Sequence, residues 1–415
     1  MIIVGGTYEE IVVVPESHDV AGSGLRAAAS LANRDEVPRF HTVLNEDLRE
    51  EAELVCEALR VNLAGTAERT EGIGFRYITP ISAPSVNGPN SRIAGQLVVN
   101  ESADTALVFG LVEASTRDVR VSARTVVYDP QRPRDAEPLD DLDGFDAERV
   151  VIVANSSEIQ KLGGRADLRE AAQRLLAEEP RICGVVTKRG AAGSLVSERS
   201  GAEVTHATVG AHPTRRVWPI GSGDVFSAGL AHAMDSGSEL LEAARLGSAA
   251  TAHWCSTRDP ATPRSILDGH YEGVPRPIEP STPKIYLAGP FFSLAERWLI
   301  ETVRQELHSL GATTWSPVHE VGHGGLEVAQ KDLDGLVECD VVLALLDHAD
   351  PGTVFEVGWA VRANIPVVGY AQVLDPEGAK MLVGTEVEMH TDLSTACYRA
   401  AWAGMGLVPQ PAWLT

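Results

Sequence analysis

Short apolar runs, each followed by a helical apolar pattern, recur along this chain, and that alternation dictates a layered α/β fold. Residues 2–4, 107–109, 126–128, 150–153 and 184–187 lack the polar alternation of a half-exposed strand. A strand apolar on both faces must be covered on both. The helical patterns at 168–178, 222–234 and 240–255 supply that cover, so a mostly parallel sheet between helical layers is predicted.

The same alternation restarts after a break. Between Gly269 and Lys284 stand Pro275, Pro277, Pro280 and Pro283, which fix local backbone angles and stop regular structure. Residues 1–272 are therefore expected to form one domain, 273–283 a proline-rich linker, and 284–415 a second, smaller domain. In the second part, residues 285–289 read as a strand, and Leu299, Val303, Leu307 and Leu310 mark one face of the helix that Gly311 ends. A helix at 328–339, a strand at 341–346, a helix at 353–363 and a strand at 366–370 complete a small doubly wound unit. Ligands of such sheets gather at the carboxyl ends of the strands.

Charge and cysteine content exclude several classes. Lys and Arg number 35 against 58 Asp and Glu, a formal charge of −23, so neither nucleic acid nor an anionic membrane surface is an expected partner. Small phosphorylated ligands remain compatible, because helix N-termini bind anions locally. The five cysteines are scattered and never in C-x-x-C spacing, which argues against disulfide and zinc frameworks. No stretch approaches the apolar length of a membrane helix and the first residues do not read as a secretory leader, so a cytoplasmic location is expected.

Two motifs carry chemistry. The first is GSGDVFSAG, residues 221–229: Gly221, Ser222 and Gly223 form a turn opening into a helix, where backbone N–H groups suit a phosphate, and Asp224 is placed to deprotonate a hydroxyl. ANSSEIQKLGG supplies Asn155 and Glu158, and TKRGAAGSLV supplies Lys188, Gly190 and Gly193. In this order the segments resemble the PfkB, or ribokinase-like, family of sugar and nucleoside kinases. The resemblance implies an α/β/α sandwich, ATP and Mg2+ as cofactors, Asp224 as base, Lys188, Gly190 and Gly193 on the nucleotide side, and an indirect magnesium role for Asn155 and Glu158. The acceptor half departs from the family. Glu10, rather than Glu9, stands nearest the family's substrate-binding aspartate, the glycine pair at residues 21–32 is split by Ser23, and the family's asparagine is missing there.

The second motif is DPGTVFEVGWA, residues 350–360, which aims the Glu356 carboxylate from near a helix start. Splitting an N-glycosidic bond through a covalent sugar intermediate needs one such carboxylate at the anomeric carbon, and an acid or hydrogen-bonding network for the departing base. Together with KIYLAGPFF at 284–292, the order of Tyr286, Asp332, Asp340, Asp350 and Glu356 resembles the nucleoside 2-deoxyribosyltransferase family. That resemblance implies a flavodoxin-like fold without a cofactor. Glu356 would be the nucleophile and Asp332 would assist protonation of the base, while Gly289 and Asp350 would help bind substrate and Tyr286 would orient the nucleophile. Asp340 reads as a cap. Lys380 falls at or beside a family asparagine position and is suited to a 5′-phosphate, which keeps a 5′-nucleotide N-glycosidase, with a non-catalytic first domain, as the alternative.

HEVGH, residues 319–323, satisfies the H-E-x-x-H zinc pattern, but Pro317 and Gly322 argue for a loop without the required helical spacing. Trp298, Trp315 and Trp359 read as core or pocket walls, and Arg215 and Arg216 as a solvated pair. The combined expectation is a bifunctional enzyme of nucleoside metabolism. Its partners are small nucleosides, nucleotides or sugars, and it assembles as a homo-oligomer.

Overall fold

Neighbouring strand residues in the first half of the chain enter two different cores. Ile3, Leu107, Val127, Val151, Val153 and Val186 join one, and Ile2, Val4, Ala106, Val108, Val126, Val150 and Ile152 the other. Successive side chains of a strand point to opposite faces, so both faces of this sheet are buried. This is why its strands are apolar runs rather than alternating ones.

The computed structural model describes residues 1–131, 139–201, 203–322, 326–373, 380–382, 384–385 and 387–410. Two compact units form. The first comprises Met1–Arg189, Gly193–His212 and Pro219–Pro275, and the second Gly190–Ala192, Pro213–Trp218 and the chain from Arg276 onward.

The first unit is built on nine strands in the spatial order Glu203–Val209, Ser194–Ser200, Ile182–Lys188, Phe145–Asn155, Val119–Asp129, Leu97–Phe109, Ile2–Val4, Arg39–Leu44 and Asn62–Glu68. Neighbours are parallel except at one edge, where Ser194–Ser200 runs antiparallel to both strands beside it. This is the ribokinase-like α/β/α sandwich. A second sheet of four short strands, Ser17–Ala21, Tyr8–Val12, Gly74–Tyr77 and Ser85–Asn87, was not readable as apolar runs. Its strand Tyr8–Val12 is half-buried, so Tyr8, Glu10 and Val12 are buried while Glu9 and Ile11 are only partly so.

The second unit holds five parallel strands in the order Thr313–Trp315, Lys284–Ala288, Val341–Leu345, Val367–Tyr370 and Glu388–His390. Numbered along the chain, that is the 2-1-3-4-5 order of flavodoxin-like sheets. The order reverses between Lys284–Ala288 and Val341–Leu345, so a crevice opens at the carboxyl ends of those two strands. Helix phase differs slightly from the sequence reading: Ile300, Val303, Leu307 and Leu310 are buried along Leu294–Ser309, and Leu299 lies beside that stripe, half-buried. Gly311, at φ 88, follows that helix in the left-handed region.

All five cysteines are free. Among the described residues no helix is long and apolar enough to cross a membrane. Trp298 and Trp359 are not core residues; they are 50% and 41% exposed. Of HEVGH, His319 and Glu320 fall in the short helical turn Pro317–Glu320 and Gly322 follows at φ 77, while His323 lies outside the described residues.

Candidate active sites

In the second unit the strand Lys284–Ala288 carries Tyr286 through the core and ends at Gly289, beside the switch point. The Tyr286 ring is fully buried and stacks on Trp315, with centroids 5.0 Å apart and planes inclined by 13°. Its hydroxyl donates to Glu356 Oε1 at 2.7 Å. Asp340, at the opposite end of the strand, accepts the Lys284 N–H at 2.7 Å and so fixes where the strand begins.

Glu356 lies on the helix Pro351–Arg362. Pro351 occupies the first helical position, where no N–H is needed, and Asp350 is the N-cap, accepting from the Thr353 N–H at 2.9 Å and its hydroxyl at 3.1 Å. The helix therefore begins two residues earlier than the sequence pattern implied. Glu356 sits in its second turn, beyond the strongest pull of the helix N-terminus. Burial above all, with the charges of Asp332 and Asp350 adding to it and the Tyr286 hydrogen bond opposing it, leaves the Glu356 carboxyl pushed up to about 7. Asp332, on the helix Leu326–Val337, is also raised by burial, and its Oδ1 is buried without a hydrogen-bond partner.

One glycine ties this arrangement together. A Cβ on Gly335 would lie 2.3 Å from Trp315 Cε2, so the indole passes directly over the backbone of the helix that bears Asp332. Trp315 is thus held between that backbone and the Tyr286 ring. Glu356 thus accepts from one phenol and feels two further carboxylates, Asp332 and Asp350. Lys380 is exposed, and residues 374–379 before it lie outside the described residues.

In the first unit Asp129, Asn155 and Lys188 are the last residues of three adjacent parallel strands. Lys188 Nζ donates to Asp129 Oδ2 at 2.5 Å, and the Ser227 hydroxyl donates to the same oxygen at 2.7 Å. Burial raises Asp129 to about 6 despite Lys188, and Asp129 Oδ1 is buried without a partner. Asn155 and Glu158 cap the helix Ser156–Gly163 reciprocally, at 2.9 and 2.8 Å.

Gly221 adopts φ 77 and opens the helix Ser222–Asp235. The Ser222 and Asp224 N–H groups already bond to the carbonyls of Pro219 and Gly221, each at 3.0 Å. Gly193, at φ 78, has Val209 O only 2.0 Å from where a Cβ would stand, so no larger residue fits that turn.

Asp224 is 7% exposed, and both its oxygens are engaged. Arg26 Nη1 donates to Oδ2 at 2.6 Å and Gln131 Nε2 to Oδ1 at 2.5 Å. Arg26 Nη2 reaches Glu10 Oε2 at 2.6 Å, and Glu10 Oε1 accepts the Gly22 N–H at 3.1 Å. The structure thus brings Glu10 and Asp224 to one guanidinium.

Arg26, Asp129, Gln131 and Ser227 escaped sequence reasoning. Arg26 left a signal, as the one charge in an alanine-rich helical run, and Asp129 another, as a carboxylate ending an apolar strand.

At these strand ends the unpartnered Asp129 Oδ1 and the Asn155 amide oxygen are hard donors of the kind magnesium takes. Among the described residues no group of three or more His, Cys, Asp or Glu could hold a metal ion.

Residues 98–266 match the family model for pfkB family carbohydrate kinases, and residues 285–393 that for nucleoside 2-deoxyribosyltransferases. The chain joins a PfkB-family segment to a nucleoside 2-deoxyribosyltransferase-family segment. The PfkB-family fold is independently seen in a candidate ribokinase from Agrobacterium tumefaciens, 16% identical with a TM-score of 0.50, where 65% of this chain aligns with 95% of that one. Ribokinase from Thermotoga maritima is 17% identical over 64% of this chain and 97% of its own, with a TM-score of 0.44. The Burkholderia thailandensis nucleoside kinase, solved with inosine, is 16% identical over 66% and 98%, with a TM-score of 0.48. No curated protein matches the chain. The two family segments support a bifunctional protein of nucleoside metabolism.

Proposed function

We propose that the second unit cleaves or exchanges the N-glycosidic bond of a nucleoside or deoxynucleoside, with Glu356 as nucleophile. The observation that carries this reading is the Tyr286 to Glu356 hydrogen bond beside Asp332 and Asp350. Ionised Glu356 attacks the anomeric carbon, forming a glycosyl ester as the bond to the base breaks. The base leaves with its electron pair and takes up a proton, which Asp332, raised by burial, is suited to supply. Water or a second base then attacks the anomeric carbon and releases the Glu356 carboxylate. Both Asp350 bonds to Thr353 use Oδ2, leaving Oδ1 for a sugar hydroxyl, and Gly289, where a Cβ would stand 3.1 Å from Leu345 Cβ, would offer its backbone to the substrate. The exposed aromatic residues Phe292, Trp298, Phe355 and Trp359 support the expected self-association, which light scattering would report.

For the first unit, the family implies transfer of the terminal ATP phosphate to a sugar or nucleoside hydroxyl with Asp224 as base. Lys188, Gly193 and the turn at Gly221 to Gly223 would face the nucleotide, with magnesium held through Asn155, Glu158 and Asp129. The engagement of both Asp224 oxygens favours a second reading, in which this unit binds nucleotide without transferring phosphate. A panel of nucleosides and nucleotides, with and without ATP and magnesium and separated by mass, tests both units together. Base release or exchange that disappears in Glu356→Ala is the expected result; base release unchanged in that variant contradicts the assignment.

A further inference from the structure

An acceptor hydroxyl in the first unit would have to reach Asp224 with its sugar lying toward Glu10. That space is taken. The Arg26 guanidinium bridges the two carboxylates at 2.6 Å on each side, and the side chains of all three residues are at most 10% exposed. Arg26 also crosses the GSGD turn so closely that a Cβ on Gly221 would stand 2.1 Å from its Cδ and Nε. Its other face lies 5.6 Å from the Trp254 ring, and that indole is fixed by a 2.8 Å bond from Nε1 to Ile220 O. The guanidinium is therefore held by two carboxylates, a glycine turn and a tryptophan.

We propose that Arg26 is the residue that closes the acceptor site of the first unit, its guanidinium standing where the hydroxyls of a neutral sugar or nucleoside would bind. The inference rests on the second reading of that unit, as a nucleotide-binding module, and names the cause. A neutral hydroxyl cannot compete with a guanidinium for two carboxylates, because each charge-assisted bond is roughly twice as strong as a neutral one. An acidic acceptor fares no better, since one cation between two carboxylates leaves an excess negative charge. Asp224 also lacks a free oxygen to accept a proton while Arg26 and Gln131 hold both.

The test uses the full-length protein, the variant Arg26→Asn and the double variant Glu10→Gln with Arg26→Asn. The double variant matters because removing Arg26 alone leaves two buried carboxylates uncompensated. Calorimetric titration of ATP and magnesium, then of ribose, inosine, ribose 5-phosphate and gluconate, is paired with phosphotransfer assays; Glu356→Gln is included throughout so that inosine stays intact. The expected result is ATP binding in all forms, no ribose binding and no phosphotransfer to any acceptor in the Arg26 form, and binding of ribose, or of inosine beyond that of the second unit, gained by at least about tenfold once Arg26 is replaced. Phosphorylation of ribose or inosine by the Arg26 form overturns the proposal, as does phosphorylation of ribose 5-phosphate or gluconate. Failure of both folded Arg26 variants to gain a neutral acceptor overturns it as well. Absence of ATP binding in every form contradicts the nucleotide-binding reading itself, whatever the acceptors do.

Discussion

Replacing Tyr286 by Phe removes one hydroxyl and little else, because the ring keeps its stack on Trp315. That hydroxyl donates to Glu356 at 2.7 Å, and a hydrogen bond to a charged group contributes ~1.5–3 kcal/mol. At 1.36 kcal/mol per pKa unit, its loss raises the Glu356 carboxyl by ~1–2 units. Glu356 stands at about 7 with the bond in place, so the variant is expected to titrate at ~8–9. A nucleophile must be ionised, so the acid limb of the kcat/KM profile for base release moves alkaline by the same amount. The loss is roughly 5- to 50-fold at pH 7 and shrinks towards pH 10. The assay is base release from a nucleoside between pH 5 and 10. An acid limb that stays near 7, or a loss independent of pH, would refute the claim that Tyr286 tunes Glu356.

The same shift has a cost in stability. Folded Glu356 holds its proton up to about 7 while an unfolded glutamate releases it near 4.5, so stability falls as pH rises through that window. Glu356→Gln should therefore raise the melting temperature at pH 8, by up to about 3 kcal/mol of stability, and much less at pH 4.5; equal melting at both pH values would contradict it. Gly335→Ala places a methyl against Trp315, and loss of base release with near-native circular dichroism is expected; unchanged kcat/KM would show that this contact does not hold the site. Lys380→Ala, at an exposed position, should lower kcat/KM for a nucleoside 5′-monophosphate more than for the nucleoside if a 5′-phosphate is recognised there. An unchanged ratio removes the 5′-nucleotide alternative.

How far the sequence discloses the molecule depends on the range of the interaction. Residues 2–4 and 168–178 appear in the structure with the bounds their patterns suggest, because both faces of the strand and one face of the helix are set by local burial. The reciprocal cap of Asn155 and Glu158 is equally local. The four-stranded sheet around Tyr8–Val12 was not legible, since its strands are short and half-exposed. Arg26 and Asp224 are 198 positions apart in the chain, and nothing in either neighbourhood announces their ion pair. Tyr286 and Glu356 are 70 apart, yet family resemblance placed them together where periodicity alone could not. Of the two readings open for Trp298 and Trp359, core or pocket wall, the exposure of both side chains removes the core one, because aromatic character alone does not say which face of a helix is covered.

The central claim is a covalent glycosyl intermediate on Glu356. Incubation with a 2′-fluoro nucleoside, whose fluorine slows hydrolysis of the glycosyl ester, followed by peptide mass analysis, tests it most directly. The account predicts one added fluorinated sugar on the peptide carrying Glu356, released when a free base is supplied. Base release with no adduct, or an adduct on Asp332 or Asp350 instead, would contradict it.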